Sequence, residues 1–111
     1  MDIETANKKR TELNNLMQQH DEFLALFGSL DAHIYTEGVI PKKYKELTGL
    51  AISVLSRCDE CILYHIQGCL KESASKEEVI EAIKLGVIAG GSLTYPSARL
   101  AFRLLQELHA I

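Results

Sequence analysis

In the run RCDECILYH, Cys58 and Cys61 stand three residues apart and His65 follows four residues later. On a helix, side chains at these spacings share a face, so the three form one stripe, which Cys69 continues. Two thiols one turn apart can close a disulfide and reopen it, the chemistry of a dithiol reductant. Cys58 falls at or just before the expected helix start. The free N–H groups and the dipole there favour a thiolate, drawing a cysteine pKa from about 8.5 towards 7 or below. His65, one turn beyond Cys61, can take up a thiol proton, the usual way a nucleophile is activated. Glu46, on the preceding helix, is the candidate to orient that base. If the two helices pack antiparallel across the link at Arg57, Glu46 and His65 lie at a similar height, about two to three turns from the link.

The same side chains admit other roles. Cys58 and Cys61 could be two small core hydrophobes. A zinc site could draw on Cys58, Cys61, His65 and either Cys69 or Glu46, although structural zinc usually takes its ligands from two separate elements. Cys69 follows Gly68 without a partner in sequence and reads as core. His20, His33 and His109 have no spacing to anything, and Tyr64 is expected to pack on another face.

These residues need helices to position them, and helices are what the apolar spacing gives. A first helix is expected from Thr5 to His20, and a second capped by Asp21, with Phe23, Leu24, Phe27, Leu30 and Ile34 at helical spacing. Gly38 falls at its end or in the loop after it. VIPKKYKELTGLAISVLSR reads as a third helix, with Pro41 in its first turn and Glu46 among Leu47, Leu50, Ala51, Val54 and Leu55. The fourth runs from about Asp59 to Lys71. Ser75 with Glu78 three residues later is a capping box for the fifth, which bears Val79, Ala82, Ile83, Val87 and Ile88 and is broken at Gly90-Gly91. A last helix starts between Leu93 and Pro96 and runs to about His109, with Leu100, Leu104, Leu105 and Leu108 inward. The expected fold class is all-α, a compact bundle of about six helices in a single domain, residues 1–111.

Composition narrows the function. The chain has 111 residues, 47% of them hydrophobic, and a formal net charge of -3. Lysines and arginines are scattered apart from Lys8-Lys9-Arg10 and the pair Lys42-Lys43, so no basic stripe predicts a nucleic-acid partner. No apolar run reaches membrane-spanning length, and MDIETANKKR has no hydrophobic segment of signal-peptide type. A cytoplasmic setting is expected, and in a reducing compartment a close cysteine pair reads as reactive rather than as a structural disulfide. No phosphate-cradling glycine loop is present, and no cofactor is expected.

Glu46, then Cys58-x-x-Cys61-x-x-x-His65, is similar to the motif of the AhpD-like proteins of the carboxymuconolactone decarboxylase family. The likeness extends from about Phe23 to Leu108. It implies an all-helical AhpD-like fold, assembly of this chain into homo-trimers or hexamers, and a thiol-dependent hydroperoxidase reset by an external dithiol or thioredoxin-like reductant. Carried over by the resemblance, Cys61 is the attacking thiol, Cys58 the resolving thiol, and Glu46 with His65 the proton relay. One position departs: Glu60 stands where the best-studied branch has a second histidine, and with Asp59 it disfavours a thiolate by like-charge repulsion. The family's decarboxylase branch typically lacks the cysteine pair. A lactone decarboxylase-like lyase and a non-catalytic oligomeric or metal-binding module are the alternatives.

Overall fold

The computed structural model describes all 111 residues, as six α-helices and one 3-10 turn with no strand. The all-α expectation holds. The chain divides into two compact units, Met1–Thr36 and Glu37–Ile111.

In the first unit α1 (Ile3–His20) packs against α2 (Glu22–Ile34). Asp2 caps α1, its carboxylate accepting from the Thr5 backbone N–H at 3.0 Å and from the Thr5 hydroxyl. Asp21 has extended backbone, which ends α1, and its carboxylate accepts from the Leu24 N–H at 3.0 Å, which starts α2. The apolar stripe read along α2 is real, but it is not buried: Phe23, Phe27, Leu30 and Ile34 are 59–71% exposed.

The second unit holds α3 (Lys42–Ser56), α4 (Asp59–Lys71), α5 (Lys76–Gly90), the 3-10 turn Gly91–Thr94 and α6 (Tyr95–Glu107). α3 lies against both α4 and α5, and α4 also touches α6. Leu50 and Val54 of α3, Ile62, Leu63 and Ile66 of α4, Val79 and Ile83 of α5, and Leu104 and Leu105 of α6 are buried. Each such side chain contributes about 1.5–3 kcal/mol. Of the apolar residues expected on the inner faces of these helices, Leu55 and Ile88 instead point outward, and Leu100 and Leu108 are only half-buried.

The joints place the site. Pro41 precedes α3 without a side-chain cap, and Glu37 supplies one, its Oε1 accepting from the Lys42 N–H at 3.0 Å. Arg57 ends α3 in the left-handed conformation at φ 58°, a geometry that turns the chain sharply but that residues with a Cβ enter only at a cost. The chain reverses there, and Cys58 becomes the N-cap of α4. The reversal brings α4 back along α3, as a contact between Glu46 and His65 requires. At α5 the capping box forms as read: Glu78 N–H donates to Ser75 Oγ at 3.1 Å and Ser75 N–H to Glu78 Oε1 at 2.9 Å.

Candidate active site

Cys58 and Cys61 are joined as a disulfide, with their Cα atoms 5.2 Å apart. Cys58 caps the helix with sulfur: its Sγ accepts from the Cys61 N–H at 3.3 Å. Both cysteines are half-buried, so the sulfurs sit at the surface end of α4 rather than in the core. Asp59 and Glu60 occupy the exposed first turn beside them, where the helix dipole favours anions.

One turn further on, α4 presents His65 to α3. His65 Nδ1 lies 3.0 Å from Glu46 Oε2, the Glu46 side chain being 3% exposed and that of His65 11%. A neutral imidazole in this contact donates from Nδ1–H to the carboxylate, which leaves Nε2 as the ring's proton acceptor. The other carboxylate oxygen, Oε1, accepts from Lys42 Nζ at 3.1 Å, one turn back on α3. A carboxylate this deeply buried is stable only when paired, and here each oxygen has its own partner.

Two glycines make the approach possible. A Cβ on Gly49 would lie 2.6 Å from the His65 ring, and a Cβ on Gly68 would collide with the Glu46 carboxylate. The arrangement is reciprocal. Each helix carries a polar residue and, three positions on, a glycine that receives the polar residue of its neighbour. Spacing alone held this signal, in Glu46–Gly49 and His65–Gly68, but sequence reading passed over both glycines and Lys42. Tyr64, expected to pack on another face, instead sets its ring edge-on to His65, with centroids 5.2 Å apart and planes at 86°, and is 41% exposed.

The structure thus gathers all four residues named as the site, as two pairs: Cys58 with Cys61, and Glu46 with His65. Cys69 is buried as expected. Burial, and then the charge of Glu46, push its thiol up to about 12 from 9.0, so at neutral pH it is a protonated core residue and not a nucleophile. No three of the histidine, cysteine, aspartate and glutamate side chains converge as a metal-binding group. A hollow of about 1120 Å³ between α5 and α6, lined by Leu85, Ile88, Tyr95 and Phe102, does not include these residues.

A helical protein with a CxxC disulfide at a helix start and a buried carboxylate–imidazole pair one turn further on is the class that fold and site define. The family model of the carboxymuconolactone decarboxylase family matches residues 21–107, and the chain belongs to that family. It is similar to a solved Thermotoga maritima member with a suggested role in antioxidative response, at 38% identity and a TM-score of 0.91, covering 95% of this chain and 90% of that one. It is also similar to a solved Legionella pneumophila member, at 29% identity and a TM-score of 0.83, covering 95% of each chain. Among curated proteins, an uncharacterized protein of the Paracoccus denitrificans cox locus is 30% identical over 88 residues, 79% of this chain and 76% of that relative.

Proposed function

We propose that this protein reduces hydroperoxides through a dithiol–disulfide cycle at Cys58 and Cys61. The observation that carries the reading is the placement of the Glu46–His65 pair one helical turn beyond the disulfide. Cys61 attacks the O–O bond of ROOH as a thiolate. An S–O bond forms, the O–O bond breaks, and the leaving alkoxide departs as ROH by taking up the proton that His65 removed from Cys61. His65 takes the proton from Cys61, and the Nδ1 bond to Glu46 keeps Nε2 available for it. Cys58 then attacks the Cys61 sulfenic acid, forming the disulfide and releasing water. An external dithiol or thioredoxin-like donor reduces that disulfide and is itself oxidised. No metal, flavin or nucleotide enters this cycle.

The suggested antioxidative role of the Thermotoga maritima relative supports the same reading. We place the protein in the cytoplasm, where such a donor is found; no helix is long and apolar enough to cross a membrane. The exposed apolar residues of α2 support assembly of the chain with copies of itself, as a trimer or hexamer, which sedimentation would test. The deciding experiment is a peroxide-consumption assay supplied with several dithiol donors. Turnover that disappears in the Cys58→Ser/Cys61→Ser double variant supports the cycle. Absence of turnover with every donor, or turnover retained by the double variant, overturns it. A lyase of the decarboxylase kind would keep its activity without either cysteine.

A further inference from the structure

We infer that Lys42 is a positioning residue of the thiol site, holding Glu46 in place and offsetting its charge. The inference rests on the reading above in taking Cys61 as the thiol that His65 serves.

Glu46 has two oxygens and a partner for each. Oε2 faces His65 Nδ1 at 3.0 Å and Oε1 faces Lys42 Nζ at 3.1 Å. With both ends held, the carboxylate cannot rotate about its Cγ–Cδ bond, and a single oxygen is presented to the imidazole. Without Lys42, both oxygens compete for Nδ1 and the ring loses a fixed orientation. Lys42 is well placed for this work. It stands one turn before Glu46 on the same helix, where the geometry of the pair is set by the backbone. Its own N–H is tied to Glu37 Oε1 at 3.0 Å. The Lys42 side chain is 34% exposed, so the ammonium keeps contact with water while it reaches a carboxylate that has almost none.

Charge acts in the same direction. Around Glu46 stand Lys42 on α3 and His65 and Cys69 on α4. Asp59 and Glu60 add negative charge in the first turn of α4, and Glu78 on α5 bears on Cys69 while paired with Lys43 at 3.1 Å. Lys42 is the cation bound to the buried carboxylate. Its removal takes a positive charge away from the buried carboxylate behind the thiol site, so Cys61 reactivity is expected to appear at higher pH.

The test is the rate at which iodoacetamide alkylates Cys61 in the fully reduced protein, resolved by peptide mass spectrometry from pH 5.5 to 9.5, in wild type, Lys42→Met and Lys42→Arg. Methionine keeps the stem and the helix propensity. Lys42→Met is expected to react about three- to tenfold more slowly on the acid side and to converge with wild type at high pH, and Lys42→Arg to follow wild type within about twofold, since it restores the cation. A Lys42→Met profile that superimposes on wild type overturns the inference. So does a loss that is uniform across pH and not restored by arginine. Alkylation needs no peroxide, so a wild-type protein that fails to consume peroxide would refute the proposed function without touching this result.

Discussion

The carboxylate of Glu46 lies against the bare backbone of Gly68, in space that a single methyl group would take from it. Replacing Gly68 by alanine therefore acts on the site and on the fold together. The carboxylate must move, and its 3.0 Å contact with His65 goes with it. Overpacking of this kind costs about 1–3 kcal/mol, and Gly49→Ala, which drives a Cβ into the His65 ring, should cost a similar amount. Thermal unfolding should report a loss of several degrees in each variant. Thiol reactivity at Cys61 should fall in both, whereas alanine at exposed Ser92 should change neither.

Which cysteine attacks is a contest between two effects. The helix start favours Cys58 by about 0.3–1 kcal/mol, under tenfold. A general base one turn away favours Cys61 by about 10²–10⁴-fold. The base should win. In Cys58→Ser treated with peroxide and no reductant, dimedone should trap a sulfenic acid at Cys61. In Cys61→Ser, Cys58 should react far more slowly, and equal rates at the two sulfurs would refute the assignment.

His65→Gln and Glu46→Gln test the relay behind that thiol. Both keep hydrogen-bonding groups in place and remove, respectively, the proton acceptor and the charge. Sulfenic-acid trapping in His65→Gln should slow by about 10²-fold or more, with a smaller effect in Glu46→Gln because it acts through the histidine. Circular dichroism should show the helical fold intact in each. An unchanged rate in His65→Gln would leave a plain dithiol with no base.

Cys69 gives a pH prediction with a definite sign. Its thiol is pushed up to about 12 in the folded protein, against 9.0 ordinarily. Below the ordinary value both states hold the proton and the stabilising contribution is complete. Between the two values the unfolded chain has released a proton that the folded chain keeps, so stability falls as pH rises. Urea midpoints of wild type should decline from about pH 9 upward more steeply than those of Cys69→Ala. At neutral pH, alkylation of the mildly oxidised native protein should label none of the cysteines: Cys58 and Cys61 because they are joined, and Cys69 because it is buried and protonated.

Local signals in the chain were easy to read because local chemistry decides them. Asp21 between two helices, Ser75 with Glu78, and the bounds of α4 all follow from hydrogen bonds a few residues long. The Glu46–His65 contact was legible too, because the short link at Arg57 leaves α4 little choice but to return along α3. What escaped depends on contacts between helices. Gly49 and Gly68 matter for the atoms that face them from the other helix, and a glycine in a helix otherwise reads as a mild defect. Lys42 looked like half of a basic pair with Lys43, yet the two diverge, one to Glu46 and the other to Glu78. Ile88 has the right spacing for a core and is 82% exposed, since helical period says which residues share a face and not what that face meets.

The cysteine pair and His65 sit at different depths on one helix. Cys58 and Cys61 belong to the first turn of α4, where helices open most readily, whereas His65 stands among Ile62, Leu63, Ile66 and Cys69, which are wholly buried. That first turn can therefore open locally without any breach of the core that holds the imidazole. Redox state should then be readable as an amide exchange rate: the Cys61 and Ile62 amides, bonded to Cys58 Sγ and to the Cys58 carbonyl, should exchange more slowly when the sulfurs are joined than when they are free, while the amides around His65 keep one slow rate throughout.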